Sequence, residues 1–214
     1  SAANLYKIGL GTWKEVTSGT SVGLRGVHFV DSNTGWVVGL NGKILKTTDG
    51  GSSWSDQTSS ATTKHLWGLY FIDSNTGYAV GNDGHIIKTT DGGSSWSETN
   101  NSGVSATWQD VHFIDSNTGG AAGGDWGKLV KTTDGGSNWT DQSIGNARYL
   151  DFVYFINENT GWVGGTNSSV YKTTDGGTNW TVQTNGLSDN SKNDRTFFIR
   201  LTLIKLIGVC AILT

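Results

Sequence analysis

Four segments of this chain repeat one another so closely that any fold must solve the same packing problem four times. Each closes on Thr-Thr-Asp-Gly-Gly-x-x-Trp, and the closing residues Trp54, Trp96, Trp139 and Trp180 lie 42, 43 and 41 residues apart. The segments run over 24–59, 66–100, 108–143 and 150–184, with length differences confined to single loop residues. A unit of this size is one supersecondary block that hides its apolar face by stacking on the next copy.

Inside each unit the pattern is that of short strands. The first strand is predicted at Gly26–Val30, with counterparts at 69–72, 111–114 and 153–156. These runs are apolar, β-branched or aromatic, as suits a strand covered on both faces. Asp31-Ser-Asn-Thr-Gly35 then turns the chain, is repeated at 73–77 and 115–119, and becomes Asn157-Glu-Asn-Thr-Gly161 in the fourth unit. Asn and Gly are expected to take left-handed positions in this turn.

A second strand follows at Trp36–Gly39, Tyr78–Gly81 and Trp162–Gly165, then a hairpin turn at Asn41-Gly42 and Asp83-Gly84. Those dipeptides are strong hairpin signals, whereas Trp126-Gly127 and Asn167-Ser168 fit the turn less well. The third strand is Lys43–Lys46 with its copies, and the fourth opens at the tryptophan. No segment carries a helical period. Equal units of four strands with aromatic anchors predict an all-β fold, a small β-propeller of four-stranded blades, rather than a sandwich or a solenoid of shorter coils.

The number of blades follows from the ends. Leu5-Tyr6-Lys7 resembles Val170-Tyr171-Lys172, and Trp13 precedes Trp54 by 41 residues. Residues 1–17 therefore read as the two outer strands of a further blade, and residues 190–214 as its two inner strands, so that one blade is shared between the termini and hides their edges. The expectation is a single five-bladed domain over 1–214. Phe197-Phe198-Ile199 falls where a fifth first strand belongs, but the run from Arg200 onward matches no repeat. An anchoring tail and a reading-frame slip are the alternatives for that run. As a membrane span it is poor, being interrupted by Arg200 and Lys205.

Composition excludes several functions. Fifteen basic against eighteen acidic residues give no field for nucleic acid or an anionic membrane. Cys210 is the single cysteine, so no disulfide forms within the chain. A start at Ser1, no methionine and a surface rich in Ser, Thr, Asn and Gly lead us to expect an exported protein, extracellular or periplasmic, with its signal peptide removed.

The pattern Thr47-x-Asp49-x-Gly51-x-x-Trp54 resembles the Asp-box, or BNR repeat. It recurs as Thr89, Asp91, Gly93, Trp96; as Thr132, Asp134, Gly136, Trp139; and as Thr173, Asp175, Gly177, Trp180. The resemblance implies a structural role at the blade periphery. The residues agree with it. The carboxylate can accept amides of its own turn, the glycine permits a left-handed backbone, and the indole can be buried between blades. One carboxylate per box is too few for calcium. The longer phrasing, Phe-(Ile/Val)-Asp-Ser-Asn-Thr-Gly-Trp followed by Lys-Thr-Thr-Asp-Gly-Gly-x-x-Trp, is similar to the photosystem II stability and assembly factor family over about residues 1–186. That resemblance implies binding to a membrane-protein subunit during assembly. The family's best-known members have seven blades, so their binding residues do not transfer to this shorter chain.

Arg25, Trp67, Gln109 and Asp151 share one place at the start of the first strand and differ while their surroundings are copied. They are the candidate binding face, since in a propeller this end borders the central opening. His28 and His112 share another place. Two imidazoles without a third ligand rarely hold zinc, so they read as rings packed between blades, and no metal or cofactor is expected. No catalytic set is found. The arginines are Arg25, Arg148, Arg195 and Arg200, which makes no sialidase cluster before the doubtful tail, and Asp151 beside Asp110 is thin provision for the opposed carboxylates of a glycosidase. The leading reading is a non-catalytic binding or scaffold module working through protein contacts, with self-assembly as a variant. A lectin with pockets lined by Trp36, Tyr78 and Trp162 is the alternative, and a glycosidase the third.

Overall fold

The structure, a computed structural model, describes residues 4–9, 12–99, 103–124, 126–145, 149–166 and 170–183. The strands expected at 190–214 lie outside the described residues. A hairpin comes first, β1 (Asn4–Gly9) with β2 (Thr12–Thr17), in the register Leu5 to Val16. Sheet I follows with β3 (Leu24–Phe29), β4 (Gly35–Gly39), β5 (Ile44–Thr47) and β6 (Ser55–Asp56). Sheet II holds β7 (Leu66–Phe71), β8 (Gly77–Gly81), β9 (Ile86–Thr89) and β10 (Ser97–Glu98). Sheet III holds β11 (Trp108–Phe113), β12 (Gly119–Gly123), β13 (Lys128–Thr132) and β14 (Thr140–Asp141). Sheet IV holds β15 (Leu150–Phe155), β16 (Gly161–Gly165), β17 (Val170–Thr173) and β18 (Thr181–Gln183). Each is a four-stranded antiparallel meander.

The first strands start two residues earlier than the apolar run suggests in sheet I and three earlier in the other sheets, and the fourth strands are shorter. The third repeat also has a full second strand, Gly-Gly-Ala-Ala-Gly, buried throughout. Its aromatic is missing, and the ring of Phe155 takes the space, since a Cβ on Gly120 would meet Phe155 at 3.2 Å.

Two turns carry the repeat. At Leu40–Lys43 both Asn41 (φ 56°) and Gly42 (φ 69°) are left-handed and the Lys43 amide donates to the Leu40 carbonyl, the hairpin geometry that Asn-Gly favours. The Asp-Ser-Asn-Thr-Gly turn works differently from the expectation, because none of residues 31–35 has a positive φ. Asp31 Oδ1 instead accepts the amides of Asn33 and Thr34, each at 2.7 Å. Gly35 is required by space: a Cβ there would lie 2.5 Å from the Phe29 ring, and Gly77, Gly119 and Gly161 stand equally close to Phe71, Phe113 and Phe155.

The chain divides into two compact units. Residues 4–79 and 87–98 form the first, with the hairpin, sheet I and most of sheet II; residues 80–86 and 99–183 form the second, with sheets III and IV. In the first, Leu5 packs with Leu24, Val37 and Leu45, so the hairpin seals one side of sheet I. The other side of sheet I packs on sheet II through Trp36, Val38, Ile44, Leu66, Leu69 and Phe71. The second unit repeats this with Ala122, Leu129, Leu150, Val153 and Phe155.

One sheet engages the next by a recurrent set of polar contacts. The Phe71 amide donates to His28 Nδ1 (3.3 Å), and Lys46 Nζ donates to the Gly92 carbonyl (2.9 Å). In the second unit the Phe155 amide donates to His112 Nδ1 (3.4 Å), and Lys131 Nζ donates to the Gly176 carbonyl (2.8 Å). The histidines thus serve as acceptors between sheets, beside Tyr70 and Tyr154 at 4.7 and 4.6 Å.

Candidate functional site

Three of the four variable positions, Arg25, Gln109 and Asp151, sit at a defect in the ladder. In sheet I, Leu24 pairs with Gly39 and Gly26 pairs with Val38, so Arg25 is the extra residue of a β-bulge. Gln109 and Asp151 are the extra residues in sheets III and IV. A bulged residue is released from the alternation of the strand, and its side chain is re-aimed. That is why the framework can be copied while this residue varies. The bulge depends on a glycine opposite it, because a Cβ on Gly39 would lie 2.3 Å from the Gly23 carbonyl oxygen, and one on Gly123 2.2 Å from that of Thr107.

In the first unit the structure brings Arg25 and Trp67 together, with the guanidinium carbon 5.4 Å from the indole centroid. Arg25 Nη1 also reaches the Leu24 carbonyl at 3.4 Å, while its Nε is buried with no acceptor. A guanidinium held over an indole keeps its outer N–H groups available for a carboxylate or carbonyl. Beside this pair the Asn41 amide donates to His65 Nδ1 (3.0 Å), and His65 stands edge-on to Trp67 at 6.3 Å.

In the second unit Gln109 is half-buried and Asp151 exposed. Asp110 is buried, and its Oδ2 accepts the Val153 amide at 3.1 Å, so this carboxylate serves the sheet packing. Trp126, which the sequence places in an unfavourable hairpin turn, is an exposed ring that is not among the candidate site residues. It occupies the hairpin position of Asn41 and Asp83, takes a left-handed φ of 67°, and is 74% exposed. Its signal was a bulky residue where the other turns carry Asn or Asp.

The Thr-x-Asp-x-Gly-x-x-Trp turns repeat one hydrogen-bond set four times. Thr47 Oγ1 donates to Asp49 Oδ1 (2.8 Å) and accepts the Gly51 amide (2.9 Å), while the Ser53 amide donates to Asp49 Oδ1 (2.9 Å). Thr89 and Asp91, Thr132 and Asp134, and Thr173 and Asp175 do the same for Gly93, Gly136 and Gly177. These bonds favour the ionised carboxylate. The Ser95 hydroxyl and amide hold Asp91 down to about 2, and the Asn179 amide and side chain do the same for Asp175. Asp49 and Asp134 are lowered by Ser53 and Asn138. Trp96 and Trp139 are buried, edge-on to Phe71 and Phe113 at 5.8 and 5.9 Å; Trp54 and Trp180 are half-buried, edge-on to Phe29 and Phe155. No group of three or more His, Cys, Asp or Glu that could hold a metal exists among the described residues.

The expected sugar pockets meet a steric objection. Trp36 and Tyr78 are fully buried. Trp36 lies flat on Phe71 and donates its Nε1–H to the Gly92 carbonyl at 3.1 Å. Neither ring presents a face to a sugar, and for Trp36 it is sheet II that covers it.

A family model described as the photosynthesis system II assembly factor YCF48 matches residues 7–102 and 57–147. The chain belongs to this family. A curated relative, the photosystem II assembly lipoprotein Ycf48 of Prochlorococcus marinus, is 42% identical over 45 residues, covering 21% of this chain and 13% of the relative. This chain therefore matches about an eighth of that protein's length. Among solved structures, YCF48 bound to D1 peptide superposes with a TM-score of 0.56 at 17% identity, over 84% of this chain and 88% of that one. The WD40 β-propeller domain of Doa1 gives a TM-score of 0.55 at 13% identity, over 76% and 54% of the two chains. At these identities the likenesses show the fold: four four-stranded antiparallel sheets of the propeller type. Among the described residues no helix is long and apolar enough to cross a membrane.

Proposed function

We propose that this YCF48-family chain is a non-catalytic, exported binding module that takes an extended segment of a partner protein at the bulged starts of its first strands. The observation carrying this reading is the bulge itself, where side chains vary on a copied scaffold and where Arg25 lies over Trp67. Two facts about relatives support it: one solved YCF48 is bound to D1 peptide, and the Prochlorococcus protein is a lipoprotein by name. The box residues Thr47, Asp49, Gly51 and Trp54 and their copies are structural in this reading, and the five-blade count is part of it. Arg25 supplies the charged donor for a backbone carbonyl or carboxylate, and Trp67 the apolar wall. The test is fluorescence anisotropy of a labelled D1 peptide titrated with the protein, its Arg25→Ala variant and its Trp67→Ala variant. Saturable binding, weakened at least about tenfold by either substitution, is expected, since truncating a buried charged or aromatic anchor costs more than about 1 kcal/mol. Binding equal in all three proteins, or none to any, would overturn the assignment of this face.

A further inference from the structure

Sheet IV lacks the cover that sheets I and III receive from the sheet that follows each. In sheet I the position of Tyr154 is His28, which accepts the Phe71 amide, and in sheet III it is His112, only 8% exposed and bonded to the Phe155 amide. In sheet IV, Tyr154 is 44% exposed. Ile156 is 56% exposed, whereas Val30, Ile72 and Ile114 at the same place are half-buried. Trp162 is half-buried where Trp36 and Tyr78 have no exposure. The ammonium of Lys172 stands 5.4 Å from the Trp162 ring, at the place from which Lys46 and Lys131 donate to the next turn's carbonyl. The covering element is defined by what the other sheets receive. It is a strand with a phenylalanine for the indole, as Phe71 supplies to Trp36, and an aromatic ring one place earlier, as Tyr70 supplies to His28.

We infer that this face of sheet IV is the docking surface for the chain's own segment 193–199, with Phe198 on Trp162 and Phe197 beside Tyr154. Spacing names the occupant. Phe29, Phe71, Phe113 and Phe155 recur every 42 residues, and Phe198 follows Phe155 by 43, within the variation of the tryptophans. Reach agrees as well. Nine residues link β6 to β7, nine link β10 to β11 and eight link β14 to β15, and nine lie between Gln183 and Asn193. The inference rests on the five-blade count proposed above, but it concerns a different surface from the bulged strand starts and stands whether or not a peptide binds there.

The test uses the full chain in a Cys210→Ser background carrying Tyr154→Cys and Phe197→Cys, treated with a short bifunctional thiol reagent. A crosslink within one monomer is the expected result. A crosslinked dimer would make a second copy the occupant and overturn the inference, as would the absence of any crosslink. Hydroxyl-radical footprinting of the unaltered chain guards against a misfolded variant. Tyr154 is expected to label several-fold more slowly than the open Trp126, and Phe198→Asp is expected to abolish that protection. Labelling of Tyr154 as fast as Trp126 in the unaltered chain would overturn the inference independently.

Discussion

The indole of Trp36 and the ring of Phe71 lie face to face, with centroids 3.5 Å apart and planes 6° apart. This contact joins the second strand of sheet I to the first strand of sheet II, and both side chains are buried. Truncation therefore removes a large ring and leaves a cavity that two packed sheets cannot close. Trp36→Ala is expected to cost about 3–5 kcal/mol, read as a lowered urea midpoint. Trp36→Phe keeps the stack but deletes the Nε1–H bond to Gly92, and should cost distinctly less.

Thr47 tests the turn that the repeat preserves. Its hydroxyl bridges Asp49 and the buried Gly51 amide, and the residue is 2% exposed. Thr47→Val keeps the shape and strands an amide without an acceptor. The expected loss is about 1–3 kcal/mol, measured by chemical denaturation. Thr132→Val should behave alike. An unchanged midpoint in both would mean that these bonds do not hold the turns.

Acid gives a second reading of the same turns. In the folded chain Asp91 and Asp175 titrate near 2, below the ordinary 3.8, so the fold binds fewer protons than the unfolded chain. Their contribution is complete above the ordinary carboxyl range and is lost as the pH falls from about 4 toward 2. A melting temperature that declines through this window is expected. Asp91→Asn with Asp175→Asn should flatten the decline. An identical acid profile in the double variant would refute the linkage.

Much of this architecture was legible because the repeat prints it four times. Asn41-Gly42 announced its hairpin, and the Thr-Asp-Gly-Trp turns announced a local carboxylate network. The position shared by Arg25, Trp67, Gln109 and Asp151 could be singled out by its variation, but not its cause. A bulge is a property of register between two strands, and register is set by Gly39 meeting Gly23, sixteen residues apart. The exposure of an aromatic was equally hidden. Trp36 and Trp162 are the same letter at the same repeat position, yet one is fully buried and the other half-buried, because burial depends on what the neighbouring sheet supplies.

Gly39 offers the strictest test of the bulge. Its backbone is extended, with φ −164°, so no conformational preference demands glycine there. Space does, since an added Cβ would sit 2.3 Å from the Gly23 oxygen and 3.0 Å from the Leu24 Cα, and both obstacles are backbone. Relief requires moving the start of β3, which carries Arg25. Gly39→Ala is expected to cost about 1–3 kcal/mol, the range for forcing a methyl into a packed site. It should also shift the Arg25 and Trp67 side-chain resonances together. Gly145→Ala is the matched control, because nothing lies within 4 Å of its added Cβ and its φ is not positive. The two substitutions add the same methyl group. If their melting temperatures fall equally, close backbone approach does not hold the bulge.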